Sequence, residues 1–293
     1  MTYTELQVTT HFSFLGGASS CEELFGQAAG LGIPALGVVD RNSLAGIVRA
    51  HEAAKATGIR SIVGCRLDLT DHSSVLVYPT DRAAYGRLCR MLTVGKGRAG
   101  KAACHLDWPD LAVYGQGIVG VLVPDQADER CAEHLRQVKD VFGAHAYLTL
   151  TLRRRPRDAA RLQALANLGT SLKAPAVATN DVLYHSSDRR ILQGVVTCIR
   201  EGCTIDAAGF KRERHADRYL KAPAEMTRLF GRHPEAVERT EEIANLCRFS
   251  LDELTYQYPR EAFIPGLTAQ QALERRTWEG AAIRYPDGVP ERS

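Results

Sequence analysis

Nine histidines and eight cysteines bring the residue types that hold metals and attack carbonyls, so their spacing comes first. His11, His51, His72, His105, His134, His145, His185, His215 and His233 form no H-x-H and no H-x-x-x-H pair. Ligands sharing one ion commonly recur at such short intervals, so histidine spacing alone indicates no metal centre. The cysteines are equally scattered: none forms C-x-x-C, and the closest pair is Cys198 and Cys203. Most lie in apolar runs such as Val63-Gly64-Cys65, and they read as buried free thiols in a reducing cytoplasm. Gly95 to Ala102 (GKGRAGKA) approaches a phosphate-binding P-loop. Ala102 stands where the magnesium-binding hydroxyl belongs, and the segment follows a helix where a P-loop follows a strand. It reads as a flexible basic loop whose Lys96, Arg98 and Lys101 are candidates for a phosphate backbone. Arg153, Arg154 and Arg155 head the densest positive run, and guanidinium forks suit phosphate oxygens, although a solvated loop is the simpler reading of such a run. No G-x-S-x-G elbow occurs. Residue types and spacing therefore assign no catalytic residue.

The elements that position these groups follow a regular beat. Ser20 to Glu23 is a capping box that opens a helix carrying Leu24, Phe25, Ala28 and Ala29, closed by Gly30 or Gly32. Ala35 to Val39 reads as a buried strand, Asn42 or Ser43 as the cap of a helix running to Gly58, and Ile62 to Cys65 as the next strand. Ser74 to Tyr78 is a strand and a helix starts near Thr80. Strands at 117–123, 147–152 and 176–179 then alternate with helices at 127–141, 158–172 and 188–199. More than six such units favour a β/α barrel over an open sheet. Two helices without intervening strands, 224–230 and 235–247, end this part. From Leu254 a turn-rich stretch (Tyr256, Tyr258, Pro259, Pro265, Gly266) leads to one short helix after Thr268 and a polar tail. With 293 residues, 45% hydrophobic, and a net charge of +3, the chain can bury a substantial core and has no global pull towards polyanions. No signal peptide and no apolar run of membrane-spanning length is present, so a cytoplasmic chain without membrane contact is expected.

Several motifs in fixed order carry a resemblance. Leu6 to Ser19 (LQVTTHFSFLGGAS), Ala35 to Gly46 (ALGVVDRNSLAG), Ile62 to Cys65 and Ala178 to Tyr184 (ATNDVLY) resemble the PHP domain at the N-terminus of bacterial DNA polymerase III alpha subunits. Asn42 to Ala54 and Tyr78 to Leu92 look like its error-prone, DnaE-type branch. The similarity runs over nearly the whole chain. It implies a distorted TIM-like β/α barrel of PHP type at 1–253, then a linker and the beginning of a polymerase core at 254–293. It also implies a parent enzyme that synthesises DNA across damage, with its magnesium-binding aspartates beyond residue 293 and its palm and thumb as the natural partners of this part.

The departures from that family pattern are specific. The family's H-x-H is Gln7-x-Thr9, a following ligand is Gly16, the histidine after the second strand is Arg41, and the glutamate after G-C is Arg66. The late D-x-H is Asp181-x-Leu183, so Asp181 alone clearly survives, while His72 lies near one further ligand position. One carboxylate cannot hold a metal cluster, and arginines at ligand positions oppose divalent cations. The expected result is a cofactor-free scaffold in which Arg41 and Arg66 stand in for the metals by pairing with Asp40, Asp68 or Asp181. A phosphoesterase or proofreading nuclease with a remodelled site, and a module that binds single-stranded DNA, are the alternatives.

Overall fold

The computed structural model describes residues 2–213, 215–255, 264–288 and 290. Tyr256, Tyr258 and Pro259, singled out in the sequence, lie outside the described residues. The chain divides into two compact units, Met1–Glu253 and Leu254–Ser293.

The first unit opens with β1 (Glu5–Val8), α1 (Cys21–Leu31), β2 (Ala35–Val38), α2 (Ile47–Thr57) and β3 (Arg60–Val63). These strands form a parallel sheet in the order β1-β2-β3. The chain continues through β4 (Cys65–Asp68), β5 (Ser74–Pro79), α3 (Arg82–Arg98), α4 (Trp108–Tyr114), β6 (Ile118–Leu122), α5 (Glu129–Phe142), β7 (Ala146–Leu150), α6 (Asp158–Ser171) and β8 (Ala176–Ala178). Its second sheet runs β4-β5-β6-β7-β8, antiparallel across β4–β5–β6 and parallel across β6–β7–β8. Three helices follow: α7 (Arg190–Arg200), α8 (Pro223–Leu229) and α9 (Pro234–Leu246). The second unit carries α10 (Ala269–Arg284), with Thr268 and Gln271 forming its capping box. At 16 residues this helix is longer than the short one expected from sequence.

Most strand residues are buried on both faces, which is why they read as near-continuous apolar runs. One set packs outward: Val8, Leu36, Val38 and Val63 meet α1 and α2, while Val75, Val77, Leu122, Leu148 and Leu150 belong to the larger cluster with α3, α5 and α6. The alternate set (Leu6, Val39, Ile62, Leu76, Val119, Tyr147 and Val177 among them) forms one interior cluster drawn from both sheets, joined by Ile243 and Ala244 of α9. Helix α1 starts and stops where its caps direct, at the Ser20–Glu23 box and at Gly32 with φ +70.

Three local expectations need correction, and one helix is additional. Ile62 to Cys65 is not one strand: the chain passes from β3 into β4 at Gly64 and changes sheets. A Cβ there would lie 2.7 Å from the Tyr78 ring and 2.8 Å from Val39, so only glycine fits the crossing. Helix α2 begins at Ile47, behind Gly46, because Asn42 serves elsewhere. Its backbone is left-handed (φ +47), and its side chain bonds the Asp68 N–H (3.1 Å) and C=O (3.3 Å), stitching the two sheets together. Gly95 to Arg98 is the last turn of α3, and the loop begins only at Ala99. Helix α4 was not anticipated, although Asp107 and Asp110 form a capping box around Pro109. The ladders make two sheets, and among the described residues they do not close into one; single parallel bridges, Val8–Val182 and Arg41–Arg66, link them.

Candidate functional site

The ends of β1, β2 and β8 and the start of β4 converge on Asp181. This aspartate is buried in left-handed backbone (φ +48). Its backbone is held in place when Val182 N donates to Gln7 O (2.8 Å) and Thr9 N donates to Val182 O (2.9 Å). The Gln7 amide donates to Asp181 Oδ1 at 2.9 Å, and its own carbonyl accepts from the Thr179 hydroxyl at 2.8 Å. Thr151 continues that chain through Thr179 at 2.9 Å. Neutral dipoles therefore occupy the strand where the resemblance places metal-binding histidines.

Guanidinium groups surround the carboxylate. Arg218 Nη2 lies 2.5 Å from Oδ2, and Arg218 Nε donates to the Asp181 carbonyl at 2.8 Å. Arg66 approaches Oδ1 and Arg153 approaches Oδ2, each to 3.5 Å. Arg66 also reaches Asp68 (3.2 Å), which Arg41 meets at 2.5 Å. Burial alone would raise the Asp181 pKa, yet Arg218, Arg66, Arg153 and the more distant Arg41 hold it well below the ordinary carboxylate range. Burial acts likewise on Asp68, and Arg41 and Arg66 again overcome it and lower its pKa. Including Glu213, which accepts from Arg218 at 2.9 Å, four guanidiniums face three carboxylates.

Of the three pairings expected for Arg41 and Arg66, those with Asp68 and Asp181 form, and the one with Asp40 does not. Asp40 instead accepts from Thr10 N (2.9 Å), Thr10 Oγ1 (2.9 Å) and Ser13 Oγ (2.7 Å). Burial raises its pKa against these three donors. Gly16 lies in the turn after β1, where a Cβ would sit 2.9 Å from Ser13 O. Leu183 packs with Ala18 and Tyr184, and His72 lies on the exposed β4–β5 turn. Among the described residues no three His, Cys, Asp or Glu side chains converge as metal ligands would. The positions Gln7, Thr9, Gly16, Arg41, Arg66, Asp181 and Leu183 thus do not fit a divalent cation: one carboxylate remains, and its counter-charge is supplied by protein.

The basic candidates separate. Arg98, in the last turn of α3, pairs with Asp110 at 2.7 Å. Lys96 and Lys101 border an open hollow beside Arg41 and Phe14. Arg153 turns inward to Asp181, Arg154 bonds Asp217, and Arg155 bonds Asp125 at 2.8 Å. What looked like one patch is three guanidiniums spent on three different carboxylates.

Two features escaped sequence reasoning. Arg218 reaches Asp181 because Leu183 N donates to Arg218 O (2.9 Å) and Tyr184 bridges Tyr219, a pairing of distant segments with no local signature. Glu5, inside β1, accepts from Tyr3 OH (2.6 Å), Gln7 N (2.8 Å) and Asn180 N (3.0 Å). Burial pushes its carboxyl up to about 7 against these three donors.

Residues 5–162 match the PHP domain family. The chain is 63% identical over 290 residues to error-prone DNA polymerase 1 of Agrobacterium fabrum, covering 99% of this chain and 27% of that protein. It is likewise 63% identical to error-prone DNA polymerase 2 of Rhizobium meliloti, with the same coverage of both chains. The chain therefore spans about a quarter of the length of these curated relatives. A solved amidohydrolase structure from Chromobacterium violaceum is 15% identical, with a TM-score of 0.48, over 62% of this chain and 88% of the other.

Proposed function

This chain belongs to the PHP domain family, and we propose that it is a metal-free structural module of an error-prone DNA polymerase. The observation that carries this reading is the ring of Arg66, Arg153 and Arg218 around Asp181, with Arg41 on Asp68 beside it. A divalent cation brought there would meet positive charge and only carboxylates already engaged. Hydrolysis of phosphoesters by clustered metals needs a metal-bound hydroxide, so that activity is absent in this reading. The cluster's role is to hold strand ends from both sheets together.

The two sheets represent a distorted barrel of PHP type. Support comes from the single interior cluster they share and from the bridges that link them at Val8–Val182 and Arg41–Arg66. The parent's activity would be template-directed DNA synthesis across damage, with magnesium held by a core outside this chain. Palm and thumb of the same protein would be the partners of the module, in keeping with relatives almost four times as long. Eight free cysteines favour a reducing, cytoplasmic setting, and among the described residues no helix is long and apolar enough to cross a membrane.

The test is a phosphodiesterase assay on the purified chain with added manganese or zinc, using bis-p-nitrophenyl phosphate. No turnover above the metal-only blank is expected. Turnover that Asp181→Asn abolishes would establish the hydrolase alternative instead.

A further inference from the structure

Phe14 is 87% exposed, yet the turn that carries it is fixed. Ser13 Oγ is tied to Asp40, and Gly16 N donates to Ser13 O at 2.7 Å. From α7, Gln193 donates to Gly16 O (2.9 Å) and Arg200 to Leu15 O (3.0 Å). Leu15 itself is held in left-handed backbone, φ +55, a conformation that branched or bulky side chains rarely adopt. An aromatic ring is thus presented to solvent by a strained, well-anchored turn.

Beside that ring lies a hollow of about 760 Å³. Phe12, Phe14, Arg41, Lys96 and Lys101 line it, and among the described residues no carboxylate does. Arg41 is committed to Asp68. Lys96 and Lys101 are exposed and make no ion pair among the described residues. Two ammonium groups without an ion pair among the described residues and one exposed aromatic ring line the same hollow.

We propose that this hollow binds single-stranded nucleic acid, with phosphate oxygens on Lys96 and Lys101 and one base stacked on Phe14. Ammonium groups act on phosphates as point charges and read no sequence. A base can lie flat on a phenyl ring only when it is free of a duplex stack, so the ligand is a single strand. The inference stands apart from the scaffold reading and survives or fails without it.

The experiment is fluorescence anisotropy of the full chain with a labelled thymidine oligonucleotide, across a series of salt concentrations. Phe14→Ala is expected to weaken binding by about tenfold, the scale of one base–aromatic stack. Replacing Lys96 and Lys101 together with alanine should flatten the log–log salt slope by about 1.4, the share of two single-strand phosphates. Trp278→Ala, at an exposed aromatic of α10, should change nothing. A duplex of the same length should compete poorly, and inorganic phosphate only at far higher concentration. The proposal is overturned by absence of binding at low salt or by Phe14→Ala binding like the parent. It is equally overturned by an equal loss in Trp278→Ala, or by phosphate or duplex displacing the strand at matched concentration. All the substituted positions are exposed, and melting curves of each variant verify the fold.

Discussion

Replacing Arg218 with methionine leaves a buried carboxylate short of its nearest counter-charge. The Asp181 side chain is 3% exposed and that of Arg218 18%, so water cannot take over the lost contact. Breaking a buried ion pair from one side costs about 3–5 kcal/mol. The lower end applies, because Arg66 and Arg153 stay at 3.5 Å and the Gln7 amide at 2.9 Å. At ~2–4 °C per kcal/mol for a domain of this size, a loss of ~3 kcal/mol lowers the melting temperature by roughly 6–12 °C. The pH dependence separates charge from packing. Asp181 has a folded pKa below its unfolded value, so its contribution is fully present above the unfolded pKa and is lost as pH falls through the folded one. The gap between parent and variant should therefore be complete at neutral pH and narrow below about pH 4, as the carboxylate takes up its proton. Adding Asp181→Asn to Arg218→Met should recover part of the loss, since asparagine tolerates the left-handed backbone and carries no charge. Urea and thermal unfolding at several pH values measure all three. A variant within about 0.5 kcal/mol of the parent at neutral pH, or a gap that stays constant into acid, would refute the electrostatic account.

Glu5→Gln should remove a pH dependence of opposite sign. Burial raises the Glu5 pKa to about 7. The native state therefore holds a proton that the unfolded chain has released, and stability falls as pH rises from about 4.5 to 7. Urea midpoints of parent and variant compared at about pH 5 and pH 8 read this out, and parallel pH profiles would contradict it. Gly64→Ala should cost about 1–3 kcal/mol by overpacking, because its methyl would lie 2.7 Å from the Tyr78 ring. An unchanged melting temperature would show that the β3–β4 crossing is not tight.

Legibility in the sequence followed the range of the interaction. Helix α1 was readable because its Ser20–Glu23 box and closing glycine are local signals. The alternation of strands and helices was readable because strands buried on both faces make continuous apolar runs. The break at Gly64 was hidden, since its cause is a tyrosine ring from the neighbouring strand. Asn42 looked like a helix cap because its side chain suits caps, but a bond to Asp68 across the sheets claims it. At the site, Arg41 and Arg66 stood out against the family pattern. Arg153 and Arg218 did not, because a guanidinium can extend to solvent or fold inward, and only the placement of Asp181 decides which.

Equilibrium dialysis of the purified chain against zinc or manganese, with bound metal counted by mass spectrometry, tests the central claim most directly. Arginines that have taken the place of metals predict no metal retained above the dialysis buffer. Stoichiometric retention, lost in Asp181→Asn, would contradict the account and restore a metal centre to this chain.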